Sequence, residues 1–297
     1  MNLAPTFQNN NNNECSSDVV QLIRNEKCLT DEEKQQLQAQ NSRLVPEFKA
    51  NQLEAQAQRH WDLFYKRNET RFFKDRRWTT REFEDLLSEP HATQERCMLL
   101  EVGCGVGNLI FPLIEEQRNN YFYYACDFSP RAVEFVKANP LYNEQQLQAF
   151  HCDITTDECH KHIAPNTLDI VTMIFVLSAI HPDKFVKVVQ NIWQMLKPGG
   201  VCLFRDYGLY DMAQLRFKPG HKIAENFYMR QDGTRSYYFS QHELSQLFVQ
   251  NGFEVVFNTY VQRRTLNVKE KIDVPRIFLQ GKFRKNYAIM CHNENKN

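Results

Sequence analysis

Three glycines spaced two apart close the segment Glu101-Val-Gly103-Cys-Gly105-Val-Gly107, directly after the apolar run Met98–Val102. Glycine lacks the β-carbon that would hold a ligand off the backbone, so such a loop turns tightly and lets the chain lie against a nucleotide. A dinucleotide site would want glycine at 108, where the chain has Asn108, and it would use the helix end to face a pyrophosphate. The spacing therefore favours a nucleoside methyl donor, S-adenosylmethionine, which carries no pyrophosphate. Three further features follow in chain order. Asp127 ends the run Tyr121–Asp127, where a carboxylate can accept from both ribose hydroxyls. In Cys152-Asp153-Ile154 the acid can accept from an adenine amino group while Ile154 packs on the ring. Ile174, in the apolar run that starts at Asp169, reaches the same edge. An acid after a strand is ordinarily a turn former or a helix cap, but four such features at matching strand ends converge on one cofactor site and a methyltransferase.

The elements that must hold these residues are short apolar runs alternating with helical stretches, the pattern of a parallel sheet covered on both faces. Strands are predicted near Met98–Val102, Tyr121–Asp127, Gln148–Cys152, Leu168–Phe175, Val201–Arg205, Glu254–Val261 and Phe278–Phe283. The fold class is α/β: a Rossmann-like, seven-stranded class I methyltransferase fold over 83–285. Tyr207 to Phe239 is too long and too aromatic for a plain connection, and is read as an insertion after strand 5 that faces the substrate. Residues 30–82 form a helical extension. Thr30-Asp-Glu-Glu33 has the form of a capping box, and a second helix starts after Val45-Pro46 and runs towards Arg67. On it Trp61, Phe64 and Tyr65 share one face, which on periodicity alone staples the extension to the core. Ser240-Gln-His-Glu243 forms another capping box, with Gly252 stopping its helix. Residues 1–29, with the run Asn9 to Asn13, and 286–297 read as tails.

Composition sets the outer limits. The 297 residues carry 36 basic and 36 acidic side chains, so no global field draws the molecule to nucleic acid or an anionic membrane. Local patches must do so. Nine cysteines without a CxxC pair argue against a disulfide framework or zinc ribbon and for a reducing, cytoplasmic or nuclear setting. Residue types give no reason to invoke a metal, and Cys291-His292 reads as a surface pair. No signal-peptide core or membrane-length apolar run is expected.

With the motifs placed, the chain resembles the tRNA 3-methylcytidine methyltransferases, particularly the branch acting on serine tRNA. The resemblance rests on Trp61-Asp-Leu-Phe-Tyr-Lys-Arg-Asn68, Phe73-Lys-Asp-Arg-Arg-Trp-Thr-Thr-Arg-Glu-Phe83, Ala125-Cys-Asp-Phe-Ser-Pro-Arg131, Phe204-Arg-Asp-Tyr-Gly-Leu-Tyr-Asp211 and Arg230-Gln-Asp-Gly-Thr-Arg-Ser-Tyr237. It implies that Trp61 and Tyr65 close over the cofactor beside Gly103, Gly105, Asp127, Asp153, Ile154 and Ile174. It also implies a cytidine at position 32 of the anticodon loop as target, and seryl-tRNA synthetase as a partner.

Cytosine N3 lies on the pairing edge, so only an unpaired or extruded base can be methylated there. Its lone pair attacks without prior deprotonation, and positive charge then builds on the base, which a carboxylate would stabilise. Asp206 is expected in that role, with Arg76 orienting the base or the adjacent backbone, because both fall in family-like stretches; the alternative is a structural Arg205–Asp206 pair. Between Arg59 and Arg81 there are eight Lys or Arg against three acids, interleaved with Phe72, Phe73 and Trp78, and between Val261 and Lys285 eight against two. Two basic, aromatic segments in a neutral chain point to an RNA groove, and charge reversal at Arg76–Arg77 or Arg263–Arg264 is expected to weaken it. Rival readings are a methyltransferase for a small molecule or protein residue, and a non-catalytic, cofactor-sensing subunit.

Overall fold

The computed structural model describes residues 21–23, 26–87, 96–116, 120–267 and 272–287. Asn9 to Asn13, Cys291-His292 and the side chain of Arg264 lie outside the described residues. Residues 21–23, which the sequence assigns to a tail, instead form a short strand, β1 (Gln21–Ile23), paired with Tyr260, Val261 and Gln262. The extension continues as α1 (Asp31–Gln40), α2 (Glu47–Ala55), α3 (Ala57–Asn68) and α4 (Trp78–Glu82). Its first cap is reciprocal, with Glu33 N–H donating to Thr30 Oγ1 at 3.3 Å and Thr30 N–H to Glu33 Oε2 at 3.1 Å. The single helix expected from Pro46 to Arg67 is two, because Gln56 leaves helical geometry at φ −106° and ψ 14°.

The catalytic domain alternates β2 (Cys97–Val102), α5 (Ile110–Glu115), β3 (Tyr121–Asp127), α6 (Pro130–Lys137), β4 (Leu147–His151), β5 (Leu168–Ile174), α7 (Phe185–Met195) and β6 (Leu196–Tyr207). These strands pair in parallel in the order β4, β3, β2, β5, β6. Leu99, Leu100, Val171 and Leu203 are all fully buried, since helices cover both faces and a polar residue on either would lose water without a partner. One apolar layer gathers α7 and the later helix α9 (Gln241–Gln250); the other gathers α5, α6 and Phe83 with Leu86.

The 207–239 stretch is an insertion, as expected, built of α8 (Met212–Leu215) and a small sheet of β7 (Lys222–Ala224), β8 (Phe227–Met229) and β9 (Arg235–Tyr237). Gln40 at the end of α1 ties the extension to it, donating to the Gln214 carbonyl at 2.9 Å and accepting from the Tyr228 hydroxyl at 3.0 Å. The α9 cap is only half a box. Ser240 accepts from Glu243 N–H at 3.1 Å, but the Glu243 carboxylate takes the Tyr237 hydroxyl at 2.5 Å instead of reaching back. Gly252 ends that helix at φ +87°.

The sheet closes with a long hairpin, β10 (Phe253–Asn267) and β11 (Ile272–Lys285). Both strands run antiparallel to their neighbours, so the sheet is parallel only through β6, and β1 makes it eight-stranded. Among the described residues no helix is long and apolar enough to cross a membrane.

Candidate active site

Strand order reverses at β2: the chain moves outward to β3 and β4, then returns to place β5 on the other side. In such sheets the crevice outside the carboxyl ends at that switch point is where ligands bind. Here it is a cleft of about 830 Å³ counting the space open to solvent. Gly103, Asp127, Asp153 and Ile154 line it, each delivered by a strand end, as expected.

The glycine loop is required on two sides. Gly103 lies at φ +63°, and a β-carbon there would come 2.5 Å from Val176 Cγ2; at Gly107, φ +89°, it would come 2.4 Å from the Phe111 ring. Gly105 is used differently, donating its N–H to Asp127 Oδ2 at 2.9 Å. Ser129 N–H meets Asp127 Oδ1 at 2.8 Å. Each carboxylate oxygen keeps a second lone pair, which suits two ribose hydroxyls. Burial is the main cause that lifts the Asp127 carboxyl to about 6, opposed by the Ser129 and Gly105 amides. Thr155 holds Asp153 through its N–H at 2.9 Å and its hydroxyl at 2.7 Å, both on Oδ1.

The aromatic helix combines both readings of its face. Trp61 and Tyr65 line the cavity, while Phe64 packs with Val106 of the glycine loop and Ala132 of α6. Burial pushes the Tyr65 phenol well above its ordinary range, so it stays a neutral ring over the loop. Polar clamps fix the helix: Asp62 accepts from the Ser129 hydroxyl at 3.0 Å and Arg131 Nε at 3.3 Å, and Gln58 donates to the Phe128 carbonyl at 3.1 Å. Asn108, read above only as a departure from the dinucleotide pattern, fastens the extension as well. Its carbonyl accepts from Arg76 N–H at 2.7 Å and its amide donates to Asp75 Oδ1 at 3.2 Å.

Four expectations need correction. Ile174 does not line the cavity; its side chain is buried in the sheet core, and the next residues, Phe175 and Val176, are presented instead. Phe175 adopts φ +60°, a conformation costly for a bulky residue and one that turns its ring out of the strand. Asp206 is fully buried and absent from the cavity wall, its oxygens taken by Ser178 N–H and Tyr207 N–H, each at 2.9 Å. Nor is it paired with Arg205, which meets Glu82 and Gln280. Arg76 also stays off the cavity wall, donating to the Ile174 carbonyl at 3.0 Å and lying 5.8 Å from the Phe175 ring centroid, behind the residue that lines it. Arg263 belongs to the interior: it shares Glu82 with Arg205, and the two guanidinium groups face Trp78 at 5.0 and 4.7 Å.

Sequence reasoning missed other cavity residues. Glu54 of α2 pairs with Lys184 and with Arg235 of β9, drawing the extension and the insertion to the same wall. It also missed a cluster of Cys126, Cys152 and Cys159, whose sulfurs lie within 4.8 Å of one another, with a disulfide joining Cys152 to Cys159. No pattern in spacing marks these contacts, which arise only when strand ends and loops meet.

The residues present fit S-adenosylmethionine: two acids at successive strand ends for the nucleoside, a loop whose Gly103 leaves no room for a side chain, and aromatic rings above. Fold and site together define an S-adenosylmethionine-dependent methyltransferase. Residues 100–202 match the methyltransferase domain family. The chain is 57% identical to the human (Homo sapiens) tRNA N(3)-cytidine methyltransferase METTL6 over 257 residues, covering 86% of this chain and 90% of that one. It is 38% identical to the tRNA N(3)-methylcytidine methyltransferase trm140 of Schizosaccharomyces pombe, covering 83% and 80%. Among solved structures, the complex of a Haloferax volcanii Trm112 methyltransferase activator with its putative methyltransferase superposes with a TM-score of 0.55 at 15% identity, covering 78% of this chain and 98% of that one. The chain belongs to the tRNA N(3)-cytidine methyltransferase family.

Proposed function

We propose that this protein methylates N3 of cytidine in tRNA, with position 32 of the anticodon loop of serine tRNA as target and seryl-tRNA synthetase as partner. The observation that carries the activity is the 57% identity to the human N(3)-cytidine enzyme across 86% of the chain, a span that takes in the lid and the cavity. The choice of serine tRNA and synthetase rests on the resemblance in the sequence.

When bound, S-adenosylmethionine supplies an electrophilic methyl group. Asp127 and Asp153 hold its nucleoside, and Trp61 and Tyr65 cover it and exclude water, which would otherwise screen the charges in the site. The extruded base approaches from the side of Phe175, which lines the cavity. Arg76 acts as a positioning residue through the Ile174 carbonyl and the Phe175 ring. Asp206 is likewise a positioning residue, holding the turn at Ser178 and the start of the insertion at Tyr207. Phosphate contacts come from the exposed cations Lys66, Arg67, Arg71 and Lys74 beside exposed Phe72.

The test is mass spectrometry of nucleosides from serine tRNA and from a mixture of other tRNAs, each incubated with pure protein and S-adenosylmethionine, with and without the synthetase. Formation of 3-methylcytidine in serine tRNA, raised by the synthetase, is expected. Its absence from all samples would overturn the activity; its formation in other tRNAs alone would overturn the serine assignment.

A further inference from the structure

The two acids that hold the nucleoside are each preceded by a cysteine, in Cys126-Asp127 and Cys152-Asp153. The third member of the cluster, Cys159, sits in the turn of 3-10 helix that follows β4. All three are at most 2% exposed, yet Cys126 and Cys152 form part of the cavity wall. The disulfide joins residues seven apart in sequence and so closes a loop around Asp153, Ile154 and Thr155 on the cavity wall, the segment assigned above to the adenine. From these positions we propose that the cluster is a thiol–disulfide exchange site on the floor of the cofactor cavity. Its reactant is a small thiol, or the corresponding disulfide, that enters through the cavity when no cofactor is bound. This rests on the cofactor reading of the cavity and is independent of the RNA substrate.

The exchange balances with the small thiol as reductant. Its thiolate attacks the sulfur of Cys152, the wall residue of the pair, breaking the Cys152–Cys159 bond and leaving a mixed disulfide on Cys152 and a thiolate that takes a proton on Cys159. A second small thiol attacks the mixed disulfide, releasing Cys152 and the oxidised small molecule. Cys126, within 4.8 Å, can instead attack the mixed disulfide at Cys152, expelling the small thiol and tying the ends of β3 and β4 together. The first route runs in reverse with a small disulfide as oxidant, whereas the second exchanges one protein disulfide for another and returns the small thiol.

Two consequences follow. Bound cofactor covers the sulfurs and blocks exchange. Two unbonded sulfurs also need more room than a bonded pair, so reduction spreads the loop and moves Asp153 and Ile154, weakening cofactor binding. Cys159 is not on the cavity wall, so Cys159→Ala removes the disulfide without removing a wall residue.

The experiment uses the full-length protein, with the disulfide located by peptide mass mapping and glutathione as the small thiol. S-adenosylhomocysteine binding is measured by calorimetry on oxidised and reduced wild type and on Cys159→Ala. The expected results are binding several-fold tighter in oxidised than in reduced wild type, Cys159→Ala matching reduced wild type when reduced, and reduction by glutathione at least tenfold slower with S-adenosylhomocysteine saturating. Affinities agreeing within twofold in the two redox states, or a reduction rate unaffected by S-adenosylhomocysteine, would overturn the proposal. Binding in neither state would overturn the cofactor reading beneath it, while loss of RNA methylation with these redox effects intact would leave it standing.

Discussion

Asp127 is the residue on which the proposed cofactor affinity should turn with pH. Its carboxyl is lifted to about 6 by burial, and only the charged form keeps the second lone pair of both oxygens to accept from ribose. S-adenosylhomocysteine affinity should therefore fall as pH drops below 6, by up to about tenfold per unit, when followed by calorimetry. Asp127→Asn should bind weakly at every pH and lose this bend. Glu101, beneath the glycine loop, is raised further, to about 8, mainly by burial, with Arg76 3.9 Å away acting in the opposite direction. The folded chain holds that proton more tightly than the unfolded chain. Its contribution to stability is thus complete below the usual carboxyl value and lost as pH rises through 8. The melting temperature of Glu101→Gln relative to wild type should climb between about pH 5 and about pH 8.5; a constant difference would show that Glu101 is charged throughout. Trp61→Ala should weaken cofactor binding by about 2- to 30-fold, the range of one cation–π contact, before lost apolar contact is added.

At the scale of elements, α4 is held to the sheet by one acid between two cations. Glu82 meets both Arg205, 1% exposed, and Arg263, with Trp78 against both guanidinium groups. Burial also lowers Arg205 to about 9. Removing the acid strands a buried cation, so Glu82→Ala should cost about 3–5 kcal/mol in chemical denaturation, with Arg205→Met less harmful than Glu82→Ala. The strands were legible because a two-sided sheet leaves continuous apolar runs, and the acids at 127 and 153 because they sit at the ends of those runs. What stayed hidden depended on depth and partners. Asp206 and Arg263 have the residue types of a charge stabiliser and a phosphate contact, but register pairs Asp206 with Leu279 and Arg263 with Arg276, within the sheet and hairpin. Phe175 was hidden because a single left-handed residue leaves no periodic trace.

For the whole molecule, neutrality makes the placement of exposed charge decisive. Lys66, Arg67, Arg71 and Lys74 are exposed at the end of α3 and just beyond it, whereas Arg263 is half-buried. Arg67→Glu and Lys74→Glu should each weaken tRNA binding and lower the slope of log affinity against log salt by about 1, measured by filter binding. Arg263→Glu should instead lower thermal stability, since it sets two carboxylates against one another. The hairpin adds a mechanical property. Strand β11 leaves β6 at Phe278, opposite Tyr207, and β1 leaves β10 at Gln262; beyond them no other described strand pairs with it. Asp211 of the insertion accepts from Ile277 N–H at 2.7 Å and Arg276 Nε at 2.9 Å, and the four residues of β11 beyond that clamp, from Pro275 back to Ile272, extend the ribbon by about 13 Å. The carboxyl edge of the sheet is also where the cavity opens. A two-stranded ribbon of that length is a lever whose nearest fulcrum is buried Asp211, so a load at its tip is felt first where that carboxylate also caps α8 through Ala213 N–H, at the start of the insertion.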